Sequence, residues 1–110
     1  LNAADIDCLL FPGGFSPDSL RRHPQTLELV RQCHRDERLL AAICHAPWIL
    51  ISAGIMAGRR ATAFAALRDD LINAGAQFVD EPVVRDGHVI TSRTPNDLPE
   101  FCREIIGALS

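Results

Sequence analysis

The stretch Leu39-Leu40-Ala41-Ala42-Ile43-Cys44-His45-Ala46-Pro47-Trp48-Ile49-Leu50-Ile51-Ser52-Ala53-Gly54 decides how this chain folds. Leu39 to Ile43 is an unbroken apolar run of strand length, the pattern of a strand buried on both faces. Pro47 fits a first helical turn, where its missing N–H is no loss. Gly54 then offers the left-handed conformation that ends a helix. A strand that hands over directly to a helix is the repeating unit of a parallel α/β sheet, and Cys44 falls at the handover.

On the N-terminal side, Ile6 to Phe11 repeats the buried-strand pattern and is closed by Pro12-Gly13-Gly14. Ser16-Pro17-Asp18 reads as a helix start: an N-cap, a proline in the first turn and an acid at the positive end of the dipole. Helix restarts at Pro24, with Leu27, Val30 and Cys33 or His34 on one face. On the C-terminal side, Ala61 to Phe64 reads as a third short strand. Leu67, Leu71 and Ile72 form a helical face ending at Asn73-Ala74-Gly75. Phe78-Val79 and Val83-Val84 are extended, and Asp86-Gly87 signals a two-residue hairpin before Val89-Ile90. Leu98, Phe101, Cys102, Ile105, Ile106 and Leu109 recur at helical spacing, with Glu100, Arg103 and Glu104 on the water side.

Strands alternating with helices through short turns predict a parallel α/β sheet covered on both faces and decorated by a small hairpin. With 110 residues and no repeat, linker or low-complexity stretch, the chain reads as one domain over 1–110. Such a chain buries roughly two thirds of its unfolded surface, enough for a true core. A net charge of −3 with no basic block argues against a nucleic-acid surface. No apolar run approaches the roughly 20 residues of a membrane span, and no signal-peptide pattern opens the chain. The four cysteines, at 8, 33, 44 and 102, form no C-x-x-C pair, so reduced thiols in the cytoplasm are expected rather than zinc or a disulfide framework.

Cys44 is the residue with chemistry to offer. A thiolate is a strong nucleophile, and a helix start favours that form. A strand-to-helix elbow pushes the side chain out of the sheet and leaves the next backbone N–H, here that of His45, free to bind an oxyanion. A second donor is available from the backbone at Gly13-Gly14, since ligands gather at the carboxyl ends of parallel strands. The adjacent imidazole acts as base or holds the thiolate. From Ile43-Cys44-His45 alone, a small buried hydrophobe followed by a helix cap fits as well. Asp18 is explained by dipole placement without any catalytic role. His23, His34 and His88 read as surface residues, and Cys8, Cys33 and Cys102 as core packing. Asp69-Asp70 and Asp80-Glu81 read as solvated. Arg93 follows a strand and is a minor candidate for lining a site, and Trp48 reads as packing. No dinucleotide fingerprint and no metal-ligand spacing is present, so no cofactor and no metal are expected.

Leu9-Leu10-Phe11-Pro12-Gly13-Gly14, Ser16-Pro17-Asp18 and Ala41-Ala42-Ile43-Cys44-His45-Ala46-Pro47 resemble the PfpI intracellular protease branch of the ThiJ/PfpI superfamily. Ile51-Ser52-Ala53-Gly54, Gly58-Arg59-Arg60-Ala61-Thr62, Arg68-Asp69-Asp70 and Asn73-Ala74-Gly75-Ala76 continue the likeness in order. Val79-Asp80-Glu81-Pro82-Val83-Val84, Asp86-Gly87 and Thr91-Ser92-Arg93 extend it nearly to the end. The resemblance implies a flavodoxin-like fold close to the class I glutamine amidotransferases. It implies Cys44 as nucleophile, His45 as its partner, and the Gly14 and His45 amides as oxyanion hole. The matching third acid is Asp18, supplied in trans within a homo-oligomer. The implied activities are peptide hydrolysis and glyoxalase- or deglycase-type stress chemistry on small aldehydes and their adducts.

Two departures stand out. Ala46 occupies a position where the superfamily usually has glycine. The superfamily also carries two further strand–helix units before the Pro-Gly-Gly strand, the first holding a glutamate that hydrogen-bonds the reactive cysteine. The chain therefore reads as the carboxyl-terminal part of such a fold, with an apolar sheet edge left to associate. A cysteine-dependent hydrolase is the favoured function. The alternatives are a redox sensor or stress chaperone that uses an oxidisable Cys44 without turnover, and a non-catalytic interaction domain that keeps only the fold.

Overall fold

The computed structural model describes residues 3–14 and 16–110, with Ser16 described by its backbone alone. Four strands form a mixed sheet: β1 (Cys8–Phe11), β2 (Leu39–Ile43), β5 (Val83–Asp86) and β6 (Val89–Ser92), in the order β1-β2-β6-β5. β1 runs parallel to β2 and β2 parallel to β6, while β5 returns antiparallel along β6. Two further short strands, β3 (Arg60–Ala61) and β4 (Gln77–Phe78), pair with each other in a separate parallel ribbon.

β2 explains why the sheet must be covered on both sides. Every one of its residues is buried, and alternation along the strand divides them between two layers. Leu40 and Ala42 enter a core with Val30, Ile49 and Leu50, while Leu39, Ala41 and Ile43 meet Ile90, Phe101 and Ile105. The first layer carries α1 (Ser16–Leu20), α2 (Pro24–Arg35), α3 (Pro47–Ala53) and α4 (Arg68–Asn73), and the second carries α5 (Leu98–Leu109). Full burial of a Leu or Ile side chain is worth about 1.5–3 kcal/mol, so β2 anchors both layers.

Local sequence sets most of the boundaries. Gly54 ends α3 with φ 79°, as the glycine signal predicts. α2 ends differently: Glu37 takes the left-handed position with φ 55°, and the Arg38 N–H returns to the Cys33 carbonyl at 2.8 Å. α1 begins at Ser16 itself, one residue earlier than the expected start at Pro17, and the Ser16 side chain lies outside the described residues.

Several expectations need correction. The third strand is confined to Arg60 and Ala61, because Ala63 and Phe64 leave the ribbon and turn towards Cys44. The hairpin loop is Gly87-His88, one residue later than predicted, since Asp86 still pairs with Val89. Ile72 is exposed rather than part of the α4 face. The long stripe of α5 splits: Phe101 and Ile105 are buried, whereas Leu98, Ile106 and Leu109 are 43%, 64% and 50% exposed. Cys102 is exposed with them, Cys33 is buried as expected, and Cys8 is partly buried. β1 has no neighbour on its outer side among the described residues, and Leu10 on it is exposed.

Candidate active site

Cys44 sits beyond the carboxyl end of β2, with the Pro12-Gly13-Gly14 turn of β1 on one side and the end of β6 on the other. Its φ is 65°, a region in which a side-chain-bearing residue is strained by about 1–3 kcal/mol. Three backbone bonds impose this conformation. The Cys44 N–H donates to the Ser92 carbonyl at 3.0 Å, and the Cys44 carbonyl accepts the Phe64 N–H at 2.9 Å. The Ala46 N–H closes the turn onto the Ile43 carbonyl at 3.0 Å. The elbow is thus gripped from β6 and from the loop after β3. Cys44 to Ala46 form a turn of their own, and α3 starts only at Pro47.

The Cys44 thiol lies 3.3 Å from His45 Nδ1, and both residues are partly exposed. The imidazole is held between two aromatic rings. Phe64 stacks on it at 4.8 Å and 25°, and Trp48 meets it edge-on at 5.2 Å and 60°. Trp48 is fixed in turn, since its Nε1 donates to Asp70 at 2.9 Å and the Arg21 guanidinium stands 5.1 Å from its ring centroid. Trp48 therefore packs as expected and also lines the site. The N–H groups of Gly14 and His45 engage no acceptor among the described residues. Gly14 has φ 84° and an open surrounding, so its exposed amide depends on a conformation that suits glycine.

Two cavities flank the thiol. An apolar one of about 180 Å³ lies against Gly13, Gly14, Ile43, Cys44, Pro95 and Leu98. A second, of about 310 Å³, is lined by Gly14, Asp18, His45 and Trp48. Asp18 therefore shares a cavity with the His45 of its own chain, yet no hydrogen bond joins the two among the described residues. The arrangement can place a carbonyl carbon beside the thiol with two free amides nearby, the basic equipment of covalent acyl or aldehyde chemistry.

Other candidates behave differently. Arg93 lines a cavity beside Phe64 and Phe78, but its guanidinium is taken up by Asp97 at 2.9 and 3.2 Å and by Asp80 at 3.0 Å. Those bonds hold the Asp97 carboxyl below its ordinary range and raise Arg93 further. Asp70 and Asp80 are solvent-exposed as expected, yet each has a partner, in Trp48 and Arg93. His34 and His88 are not independent surface groups: Nδ1 of His34 lies 2.9 Å from Nε2 of His88. Burial pushes the thiols of Cys8 and Cys33 up, as befits sulfur used for packing. No cluster of three metal-ligating side chains occurs among the described residues, and none of their helices is long and apolar enough to cross a membrane. Phe64 escaped the sequence reading because nothing in its local pattern ties it to a histidine far back in the chain.

The model of the DJ-1/PfpI family matches residues 1–108. The chain is 40% identical to the deglycase PfpI of Pyrococcus furiosus over 99% of its own length and 66% of that protein. It is 44% identical to general stress protein 18 of Bacillus subtilis, across 99% of the chain and 64% of the relative. The chain thus spans just under two thirds of the length of these relatives. Among solved structures, a two-domain Anabaena variabilis protein with DJ-1/ThiJ/PfpI-like and ferritin-like domains superposes with a TM-score of 0.97 at 41% identity. That match covers 99% of this chain and 31% of the other. Sequence, fold and elbow agree: the chain belongs to the DJ-1/PfpI family.

Proposed function

We propose that this chain carries the reactive centre of a PfpI-type cysteine hydrolase, with Cys44 as nucleophile. The observation that supports it most directly is the strained elbow, which sets the thiol 3.3 Å from His45 Nδ1. In this reading His45 takes the thiol proton, and the thiolate adds to an electrophilic carbonyl. The C–S bond forms as the carbonyl electron pair moves onto oxygen, where the Gly14 and His45 amides receive it. On a peptide, collapse of this intermediate expels an amine that takes the proton back from His45, and water then hydrolyses the thioester; on an aldehyde, the addition gives a hemithioacetal. Asp18 of a neighbouring copy orients the imidazole, which makes a cytoplasmic homo-oligomer the working form. The exposed apolar residues of α5, Leu98, Ile106 and Leu109, form a surface that favours such association. The names deglycase and putative cysteine protease borne by relatives point to aldehyde adducts or peptides as substrates.

The test is turnover of methylglyoxal, of a methylglyoxal-treated amino acid and of a chromogenic peptide by the chain and by Cys44→Ala and His45→Ala. Loss in both variants, with the thiol of His45→Ala still oxidisable by peroxide, supports the hydrolase. Turnover unaffected by Cys44→Ala would sink it, and oxidation without turnover in any assay would favour the redox reading.

A further inference from the structure

At the other end of β2 from Cys44, about 16 Å away at the rise of an extended strand, lies a cavity of about 480 Å³. It sits at the amino ends of the parallel strands. Asp7 precedes β1 there, Glu37 and Arg38 precede β2, and the Gly87-His88 turn precedes β6. Leu39 and Ala108 give it apolar walls. Leu109 also lines it and belongs to the exposed stripe of α5, but the charged groups of the cavity all stand on other elements.

Opposite charges line this cavity without pairing. The Arg38 side chain makes no ion pair and no hydrogen bond among the described residues, and its Nε is buried without a partner, a costly state for a charged donor. Neither Asp7 nor Glu37 forms an ion pair or accepts a side-chain hydrogen bond among the described residues. Arg85 is already engaged, through Nε with the Gly87 carbonyl at 3.1 Å and through Nη1 with Glu104 at 3.8 Å. His88 turns Nε2 to His34 at 2.9 Å. Glu37 also holds the left-handed position after α2, with φ 55°, where glycine is free of strain and a side chain is not. One cation and two carboxylates thus share a cavity without neutralising one another, and a ligand that reached all three would carry both signs.

We propose that this cavity binds a free α-amino acid with an apolar side chain. Arg38 donates to the carboxylate, Glu37 and Asp7 accept from the ammonium, and the side chain lies against Leu39 and Ala108. A dianion such as phosphate would meet Asp7 and Glu37, and a bare metal cation would meet Arg38. One positive charge against two negative ones also disfavours an acidic amino acid. The site stands at the end of the sheet opposite the thiol, so binding there is independent of the hydrolase reading.

Isothermal titration of L-leucine into the chain is the test, and a saturable heat is the expected result. Arg38→Gln and Glu37→Gln should each raise the dissociation constant about tenfold, as loss of a bond to a charged group implies. Leucinamide lacks the carboxylate and N-acetyl-leucine lacks the ammonium, so each should bind at least about tenfold more weakly than leucine. Glu37→Gly relieves the backbone, and should raise the urea midpoint while weakening leucine about as much as Glu37→Gln does. Damage to the fold could not produce that pair of effects. Cys44→Ala should bind leucine within about twofold of the parent, because the two sites share no group. No saturable heat up to about 10 mM leucine, or a constant indifferent to both Arg38→Gln and Glu37→Gln, overturns the proposal whatever turnover Cys44 shows. Leucinamide, N-acetyl-leucine or inorganic phosphate binding as tightly as leucine would also overturn it, since the cavity would then read one charge alone.

Discussion

A β-carbon placed on Gly13 would stand 2.8 Å from the Cβ of Cys44 and 3.4 Å from its sulfur. Real β-carbons do not approach that closely, and the obstructing atom belongs to the strained elbow itself. Gly13→Ala must therefore push either the β1 turn or Cys44 out of place. Overpacking of this kind costs typically about 1–3 kcal/mol. The expected outcome is a lower denaturation midpoint together with a fall in kcat/KM of at least tenfold. Gly14→Ala, with open space around it but φ 84°, strains only its own backbone and should leave Cys44 less disturbed. Equal loss in the two variants would contradict this ranking.

Phe64 acts on both halves of the site. Its backbone N–H holds the Cys44 carbonyl, and its ring stacks on His45. Phe64→Ala keeps the backbone bond and removes only the stack. Because the side chain is 37% exposed, the change should cost little stability, about 1 kcal/mol or less. A freed imidazole spends less time beside the thiol, so kcat is expected to drop about tenfold while KM changes little. Phe64→Tyr, which keeps the ring, should recover most of the rate. An unchanged kcat in Phe64→Ala would remove its positioning role.

Asp18 shares a cavity with its own His45 without bonding to it. If the acid acts across an interface, Asp18→Asn and Cys44→Ala should each be poorly active alone and partly active when mixed. A random mixture in a dimer with two reciprocal sites restores up to about one quarter of the parental sites. Activity after mixing and refolding is the measurement, with sedimentation to define the oligomer. No recovery at any ratio would show that Asp18 serves its own chain or serves no catalytic role.

The His34–His88 pair makes a pH prediction. Arg59 Nη2 approaches His34 Nδ1 at 3.3 Å and can only donate, so that nitrogen is an acceptor and His88 Nε2 carries the proton between the rings. Burial first, and then the Arg59 guanidinium, lower His34; burial, Arg59 and His34 lower His88, against smaller opposing effects of Glu37 and Asp86. With both values lowered in the folded state, the unfolded chain binds protons first. The contribution to stability is therefore complete above about pH 6.5, the ordinary histidine value, and declines as pH falls towards the folded values. Urea midpoints between pH 8 and pH 5 should decrease, and His34→Gln/His88→Gln should flatten the decline. A parent that gains stability over that interval would refute the assignment of neutral rings.

The sequence by itself determined the elements that local rules govern. Apolar runs of strand length placed β1 and β2, and Gly54 and Pro47 bounded α3, because backbone conformation and side-chain burial act over a few residues. Cys44 was legible for the same reason: a cysteine between a buried strand and a helix start has few other places to go. Tertiary structure alone decided what surrounds it. Gly13 and Ser92 meet Cys44 only through the order β1-β2-β6, and Phe64 reaches His45 only because β3 leaves the main sheet. It also divided the stripe of α5, since spacing shows which side chains share a helix face but not how much of that face another layer covers. The pairing of His34 with His88 arises likewise from packing the end of α2 against the hairpin turn, a meeting that no local pattern encodes.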